Sequence, residues 1–349
     1  MKKLFTLLAC VLPLTACGAN TESFTPEETV KKELPALVKT TVDTYGESEC
    51  ATVVADVKSF QVDVTYGDYV ISVPISGKVT FGLRNMYTTD ASQLQVGMVF
   101  ENCNLTANIK INGEEGVEAE EHKYEFKDFS FAAYLSGGNA YIDISNASLM
   151  NSLTKYVAEL LKQEESVAKA LLGSGKYRID NVITNDKLPL VKKEEVTEEN
   201  IAKGINDAFG IVTDEDLAKI MSLVHDKSKN TYDLKFSVTD PEIVNRSYDK
   251  TGATADATCE KVNVDVEALT DDKGAFSNVT LKGEVGVKAN VSEEKSTNVN
   301  LKGEADLSFD LTKYAITNPS FAEFKSPTVL INFIMNLIKD LIPATGNNE

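Results

Sequence analysis

The sequence predicts an α+β protein in which a curved antiparallel β-sheet, half-barrel-like, packs apolar helices, as one sheet or as two related α+β halves. Two observations carry this. Long stretches of period-two alternation occupy about 50–145 and 230–311, and helical periodicity is confined to the chain's start, middle and end. Strands and helices do not alternate, so a doubly wound parallel sheet is not expected.

Each element has its own signal. Thr25-Pro26-Glu27-Glu28 combines an N-cap, a proline at the first helical position and a glutamate that closes a capping box. Val30, Leu34, Leu37, Val38, Val42 and Tyr45 follow at helical spacing to Gly46, with a kink expected at Pro35. Tyr69, Ile71, Val73, Ile75, Val79, Phe81 and Leu83 then hold odd positions, with Gly77 in register. Cys103 to Ile111 repeats the pattern and ends at the turn signal Asn112-Gly113. Tyr124 and Phe126 are even but Phe129 and Phe131 odd, which predicts a bulge near Lys127-Asp128. Met150, Leu153, Val157, Leu160, Val167 and Leu171 form one helical stripe that stops at Gly173. Thr197 and Thr213 cap two shorter helices, the second carrying Leu217, Ile220, Met221 and Val224.

Strands are expected again at 230–239, 258–268, 276–291 and 297–311. NVTLKGEV at 278–285 and NVNLKGEA at 298–305 echo each other and suggest a hairpin of long strands. A shorter echo, CATVVADV at 50–57 and CEKVNVDV at 259–266, links the halves. The organisation is then a leader 1–16, a tether 17–24, an N-terminal helix–sheet–helix half 25–175, a connector 176–196, a C-terminal half 197–342 and a tail 343–349. In Pro327 to Ile342 ten large apolar side chains crowd one segment. Burying them contributes on the order of 15–30 kcal/mol gross, so this helix is expected to enter a concavity, favourably the protein's own.

The 349 residues carry 35 Lys+Arg against 53 Asp+Glu, a net charge of -18 that argues against nucleic acid as a partner. There is no Trp and only two His, and no HExxH, GxSxG, CxxC or EF-hand pattern. His122, in an acidic run, and His225, expected to end a helix, read as surface residues. Glu114, Glu115, Glu118, Glu120 and Glu121 read as a solvated, aggregation-resistant hairpin rather than a calcium loop. No enzyme, cofactor or metal is expected. Cys50, Cys103 and Cys259 leave two alternatives, one disulfide with an odd thiol or three free thiols.

Residues 1–17 join Lys2 and Lys3, an apolar run from Leu4 to Leu14, and Leu14-Thr15-Ala16-Cys17. This resembles the signal peptide and lipobox of bacterial lipoproteins. The resemblance implies cleavage before Cys17 and attachment of acyl chains, palmitate among them, to its sulfur. It implies a cell-envelope protein held on the extracytoplasmic face of the cell membrane, or at the cell surface in an outer membrane. Loss of Lys2 and Lys3 would take the charge to -20, so lipid rather than basic attraction holds the membrane.

Gly77, Gly283 and Gly303 each sit mid-strand in the apolar register, where glycine marks sharp curvature or close approach. They fit a sheet wrapping its own helices, or a groove with room for an acyl chain. In the second case Leu330, Phe333, Ile334 and Leu337 of the last helix join the three glycines as ligand-lining residues. In element order over about 25–342 the chain resembles the LolA/LppX-type half-barrel lipoproteins, whose cavity between sheet and helices carries lipid or lipidated cargo. The function expected is therefore a non-enzymatic lipoprotein binding a lipid or other apolar ligand. The alternative is a surface interaction, adhesion or envelope scaffold module with a self-filled core, its protein partner open.

Overall fold

Alternating polarity over seventeen-residue runs builds strands long enough to bend, and these strands form the body of the molecule. The computed structural model describes residues 21–112, 119–251, 256–292 and 295–328. The leader, Cys17, Glu114, Glu115, Glu118, and Leu330, Phe333, Ile334 and Leu337 lie outside the described residues.

The strands are β1 (Thr21–Phe24), β2 (Cys50–Tyr66), β3 (Tyr69–Arg84), β4 (Gln95–Ile111), β5 (Glu120–Ser136), β6 (Asn139–Asp143) and β7 (Lys176–Ile179). After them come β8 (Met221–Asp226), β9 (Thr231–Val238), β10 (Ala257–Thr270), β11 (Phe276–Ser292) and β12 (Lys295–Asp310). All twelve join one curved, unclosed antiparallel sheet in the order β1-β8-β9-β10-β11-β12-β2-β3-β4-β5-β6-β7. The C-terminal meander thus continues directly into the N-terminal one at the β12–β2 seam. The two long echoing strands pair as their sequences suggest, with Gly283 opposite Gly303. The shorter echo falls on β2 and β10, which run in opposite senses: Cys50 pairs beside Arg84, while Cys259 lies at the other end of the sheet.

The registers fix the two ends of the sheet. Asp226 pairs with Thr231, Thr270 with Phe276, Asp310 with Thr52, Cys50 with Arg84, Gln95 with Ser136 and Ala140 with Ile179, all at one end, here the lower. The Tyr66/Tyr69 and Ile111/Glu120 pairs lie at the upper end.

Helices cover the sheet's inner face at its two flanks. Thr25 closes the expected capping box, its Oγ1 accepting from Glu28 N at 3.2 Å while its own N–H donates to Glu28 Oε2 at 2.9 Å. One π-helical stretch, Thr29–Glu33, precedes Pro35, and α1 (Leu34–Ser48) continues to a left-handed cap at Glu49. The remaining helices are α2 (Ala147–Leu161), α3 (Glu165–Leu172), α4 (Glu198–Phe209), α5 (Asp214–Ile220) and α6 (Pro241–Lys250). Leu34 and Leu37 of α1 join Leu217, Leu223, Leu234, Ile243 and Ala268 in the larger buried cluster. Leu149 of α2 packs on Cys103 and Phe129 in the smaller one.

Four expectations are corrected. The helix begun at Thr213 ends at Ile220, and Met221 to Asp226 pairs between β1 and β9 as a strand, so His225 lies in β8 rather than at a helix end. The single stripe from Met150 to Leu171 is two helices, broken at Lys162, whose φ is 53°. Residues 21–24 of the tether are an edge strand, and the connector opens with β7. The expected elements include no helix at α6, whose Asp240 side chain caps Glu242 N at 3.0 Å.

After β12 the chain crosses the outer face as a strap, residues 311–328. Thr52 Oγ1 donates to the Lys313 carbonyl at 2.7 Å and accepts from Ala315 N at 2.8 Å. Ile316 lies over Gly82 and Gly97, Phe321 stacks on Tyr141 with centroids 3.9 Å apart, and Lys325 bridges to β7 through Arg178 N at 2.8 Å.

Candidate functional site

A line of irregularities, a crease, crosses the long strands at mid-height. The β2–β3 register shifts between Val57 and Phe60, β3–β4 between Ser76 and Lys78, and β4–β5 on both sides of Cys103. Asn102 and Asp128 take positive φ, 51° and 48°, the second at the bulge expected near Lys127-Asp128. The three flagged glycines lie on this line. A Cβ on Gly77 would sit 2.6 Å from Cys103 Sγ and 2.8 Å from Cys103 Cα, and Gly77 has φ 143°. A Cβ on Gly283 would meet Asn263 O at 2.7 Å and Val264 Cα at 2.8 Å, and one on Gly303 would meet Phe60 Cδ2 at 2.9 Å. The room each glycine frees is thus filled by the protein itself. All three belong to inner-face rows, so the crowding means that the sheet bends toward that face.

The three glycines mark the lower border of an apolar inner surface, while Gly283 and Gly303 line a polar pocket of about 230 Å³ with Lys282, Glu284, Lys302 and Glu304. One inner-face row runs Val264, Gly283, Gly303, Phe60, Ile75, Leu105 and Phe126 across seven strands. Above it, Val262, Val285, Leu301, Val62 and Val73 form a second row. Val287, Val299, Val64, Ile71 and Ile109 form a third. The outer side of the same strands is polar: Gln61 bonds Asp63 at 2.9 Å, Asn300 bonds Glu284 at 3.2 Å, and Lys261 pairs with Glu284 at 2.7 Å. Alternation of this kind normally marks one solvated and one covered face.

Among the described residues the cover is missing. Neither buried cluster includes any residue of the second or third row. Leu301 and Phe60 are each 38% exposed, and the valines and isoleucines beside them are half-buried, except Val262 at the β10 end, which is buried. At a strand spacing of about 4.8 Å and a rise of about 3.3 Å per residue, the three rows span roughly 29 Å at their widest by 13 Å. An apolar patch of a few hundred Å² is of the size that on monomers commonly marks a binding surface.

At the β5 flank the surface runs into a hollow. Ile109 pairs with His122, and His122, Tyr124, Tyr156, Val157, Glu159 and Leu160 line a cavity of about 460 Å³ between β5 and α2. Tyr156 holds this wall in place. Its hydroxyl accepts from Glu125 N at 2.7 Å and donates to Glu125 O at 3.2 Å, while its ring meets Tyr124 edge-on at 5.1 Å. Leu160 is 73% exposed above the hollow.

No protein-family model matches this chain, and no curated protein matches it. The rows, the crease and the hollow therefore carry the functional argument alone.

The other candidates fall elsewhere. Cys50, Cys103 and Cys259 are free thiols; Cys103 and Cys259 are buried, and burial pushes both thiols above the ordinary range. Glu120 and Glu121 begin β5 at the upper end of the sheet. His225 stacks on Tyr232 at 4.1 Å and its Nε2 lies 3.2 Å from Asn230 Oδ1. Among the described residues no group of three or more His, Cys, Asp or Glu is placed to hold a metal ion. Also among them, no helix is long and apolar enough to cross a membrane. The apolar rows are the residues that glycine-based reasoning missed. Their signal was present in the same odd-position alternation that defined β3 and β4.

Proposed function

We propose that the chain is a non-enzymatic, membrane-anchored extracytoplasmic lipoprotein, lipidated at Cys17, that holds a lipid or other apolar ligand against the inner face of its sheet. The observation that supports this best is the half-exposed pair of apolar rows from β11 to β4, ending in the tyrosine-walled hollow beside α2. An acyl chain needs apolar contact without directional partners, and a row of valines and isoleucines offers that contact at each strand. The crease adds concavity, which raises the ligand surface buried per residue touched. Tyr124, Tyr156 and His122 at the hollow would meet the more polar end of such a ligand.

The test is native mass spectrometry of residues 21–349 made without the anchor, combined with organic extraction of the pure protein. A lipid that is lost on delipidation and regained stoichiometrically is the expected result. A clean apo mass with no uptake of lipid or apolar dye would overturn ligand binding. It would turn attention to a scaffold or adhesion module whose face is filled by its own segment 329–342, which carries Leu330, Phe333, Ile334 and Leu337.

A further inference from the structure

We infer that the lower end of the sheet is a membrane-facing surface, and that the loop 187–193 enters the phospholipid headgroup layer there. The loop reads Lys187-Leu188-Pro189-Leu190-Val191-Lys192-Lys193, an apolar tip between lysines in a chain whose net charge is -18. Leu190 is 47% exposed and Val191 37%, and the three lysines are exposed around them. Apolar side chains flanked by lysines suit the boundary between acyl chains and anionic headgroups, where the tip is desolvated and each ammonium stays at the phosphate level. Asp186, Glu194 and Glu195 flank the loop, and Lys192 pairs with Glu195 at 3.2 Å, so the apolar tip carries the contact and charge orients it.

Position provides the second, independent support. Asn185 Oδ1 accepts from Ala91 N at 2.8 Å in the β3–β4 loop, Ile183 N donates to Gly138 O at 3.1 Å in the β5–β6 turn, and Lys193 Nζ sits 5.6 Å from the Tyr87 ring. The loop is therefore held on the lower end. β1 brings the N-terminus to that same end: Thr21 pairs with Asp226 at the β8–β9 turn, and Asn230 of that turn donates to Asp272 O at 2.7 Å. Only four residue steps separate Cys17 from Thr21, a reach of roughly 14 Å at most. This inference rests on Cys17 carrying the lipid; given that, the lower end lies against the anchoring membrane and the upper end, with Glu120 and Glu121, points away.

The chain has no native Trp, so a single introduced Trp reports alone. Full-length protein carrying Leu190→Trp, or Asp68→Trp in the β2–β3 turn at the upper end, is purified from its host membrane. It is reconstituted into phosphatidylglycerol-containing vesicles with and without acyl-chain-brominated lipid. Flotation with the vesicles and the intact mass first read out the anchor. The expected result is a blue shift for Leu190→Trp with about half its emission quenched, and no response for Asp68→Trp. Flotation with no response from Leu190→Trp, or equal responses from both variants, would overturn the membrane-facing loop while leaving the anchor intact. Failure to float, with a mass lacking the diacylglyceryl group, would remove the anchor and this inference together.

Discussion

Gly82 lies directly opposite Gly97 in the β3–β4 ladder, and the space that two side chains would take is filled from the strap by Ile316 together with Tyr314. A Cβ on Gly82 would stand 2.9 Å from Ile316 Cδ1, and one on Gly97 2.8 Å from the same atom. The glycine pair is a socket and Ile316, buried at 8% exposure, is its plug. Ile316→Ala is expected to cost about 2–4 kcal/mol, and Gly97→Ala about 1–3 kcal/mol. The double variant is expected to lose less than the sum, because the methyl added at Gly97 enters the space vacated by isoleucine. Urea titration of the four proteins checks this; strict additivity would mean that the two residues do not share a site.

At the crease, Gly77→Ala is expected to destabilise by about 2–4 kcal/mol, since it combines a strained φ with a clash against Cys103 backbone. The measurement is a thermal melt beside Gly46→Ala, whose added Cβ meets nothing within 4 Å. Equal melting temperatures would mean that β3 and β4 do not approach so closely.

On the apolar rows, polar substitution separates folding from binding. Leu301→Gln and Val62→Thr alter side chains that lie outside both buried clusters, so stability is expected to change by less than about 1 kcal/mol. Lipid recovered by extraction is expected to fall severalfold in the same proteins. Loss of stability in step with loading would instead assign the rows to the core.

Acid tests the other flank. Asp216 is buried, its Oδ2 accepting from Thr213 Oγ1 at 2.9 Å and its Oδ1 from Arg246 Nη2 at 2.8 Å. The threonine hydroxyl, and then the guanidinium, hold its carboxyl below the ordinary aspartate range. A depressed pKa stabilises the fold at pH values above the unfolded value, about 3.9, and that support disappears as the pH falls through the lowered folded value. Asp216→Asn is therefore expected to melt earlier than the parent at neutral pH, with the gap narrowing below about pH 4. A pH-independent gap would show that packing, not charge, is lost.

The long strands were legible because burial on one side imposes a strict two-residue period. The β11–β12 register was legible because the repeated LKGE places Gly283 against Gly303. The bulge at Asp128 followed from an apolar phase that changes parity. β8 was hidden because Leu217, Ile220, Met221 and Val224 continue at helical spacing, and pairing with β9 and β1 overrides that pattern. Among the described side chains of α6 only Ile243 enters the buried core, so few apolar residues mark the helix although Asp240-Pro241 marks its start. The glycines were visible, but what opposes each one is set by residues on neighbouring strands, Cys103, Val264 and Phe60. An isolated position in sequence carries no trace of that approach.

The β12–β2 seam has a consequence for the order of assembly. During synthesis β2 emerges early, yet its second partner is β12, and Thr52 waits for the Lys313 carbonyl 261 residues later. Until then a seventeen-residue strand of the nascent chain keeps an open edge, able to recruit any exposed strand it meets. Pairing at so great a separation is slow, so the strap acts as a latch that closes only after Lys313 has been made.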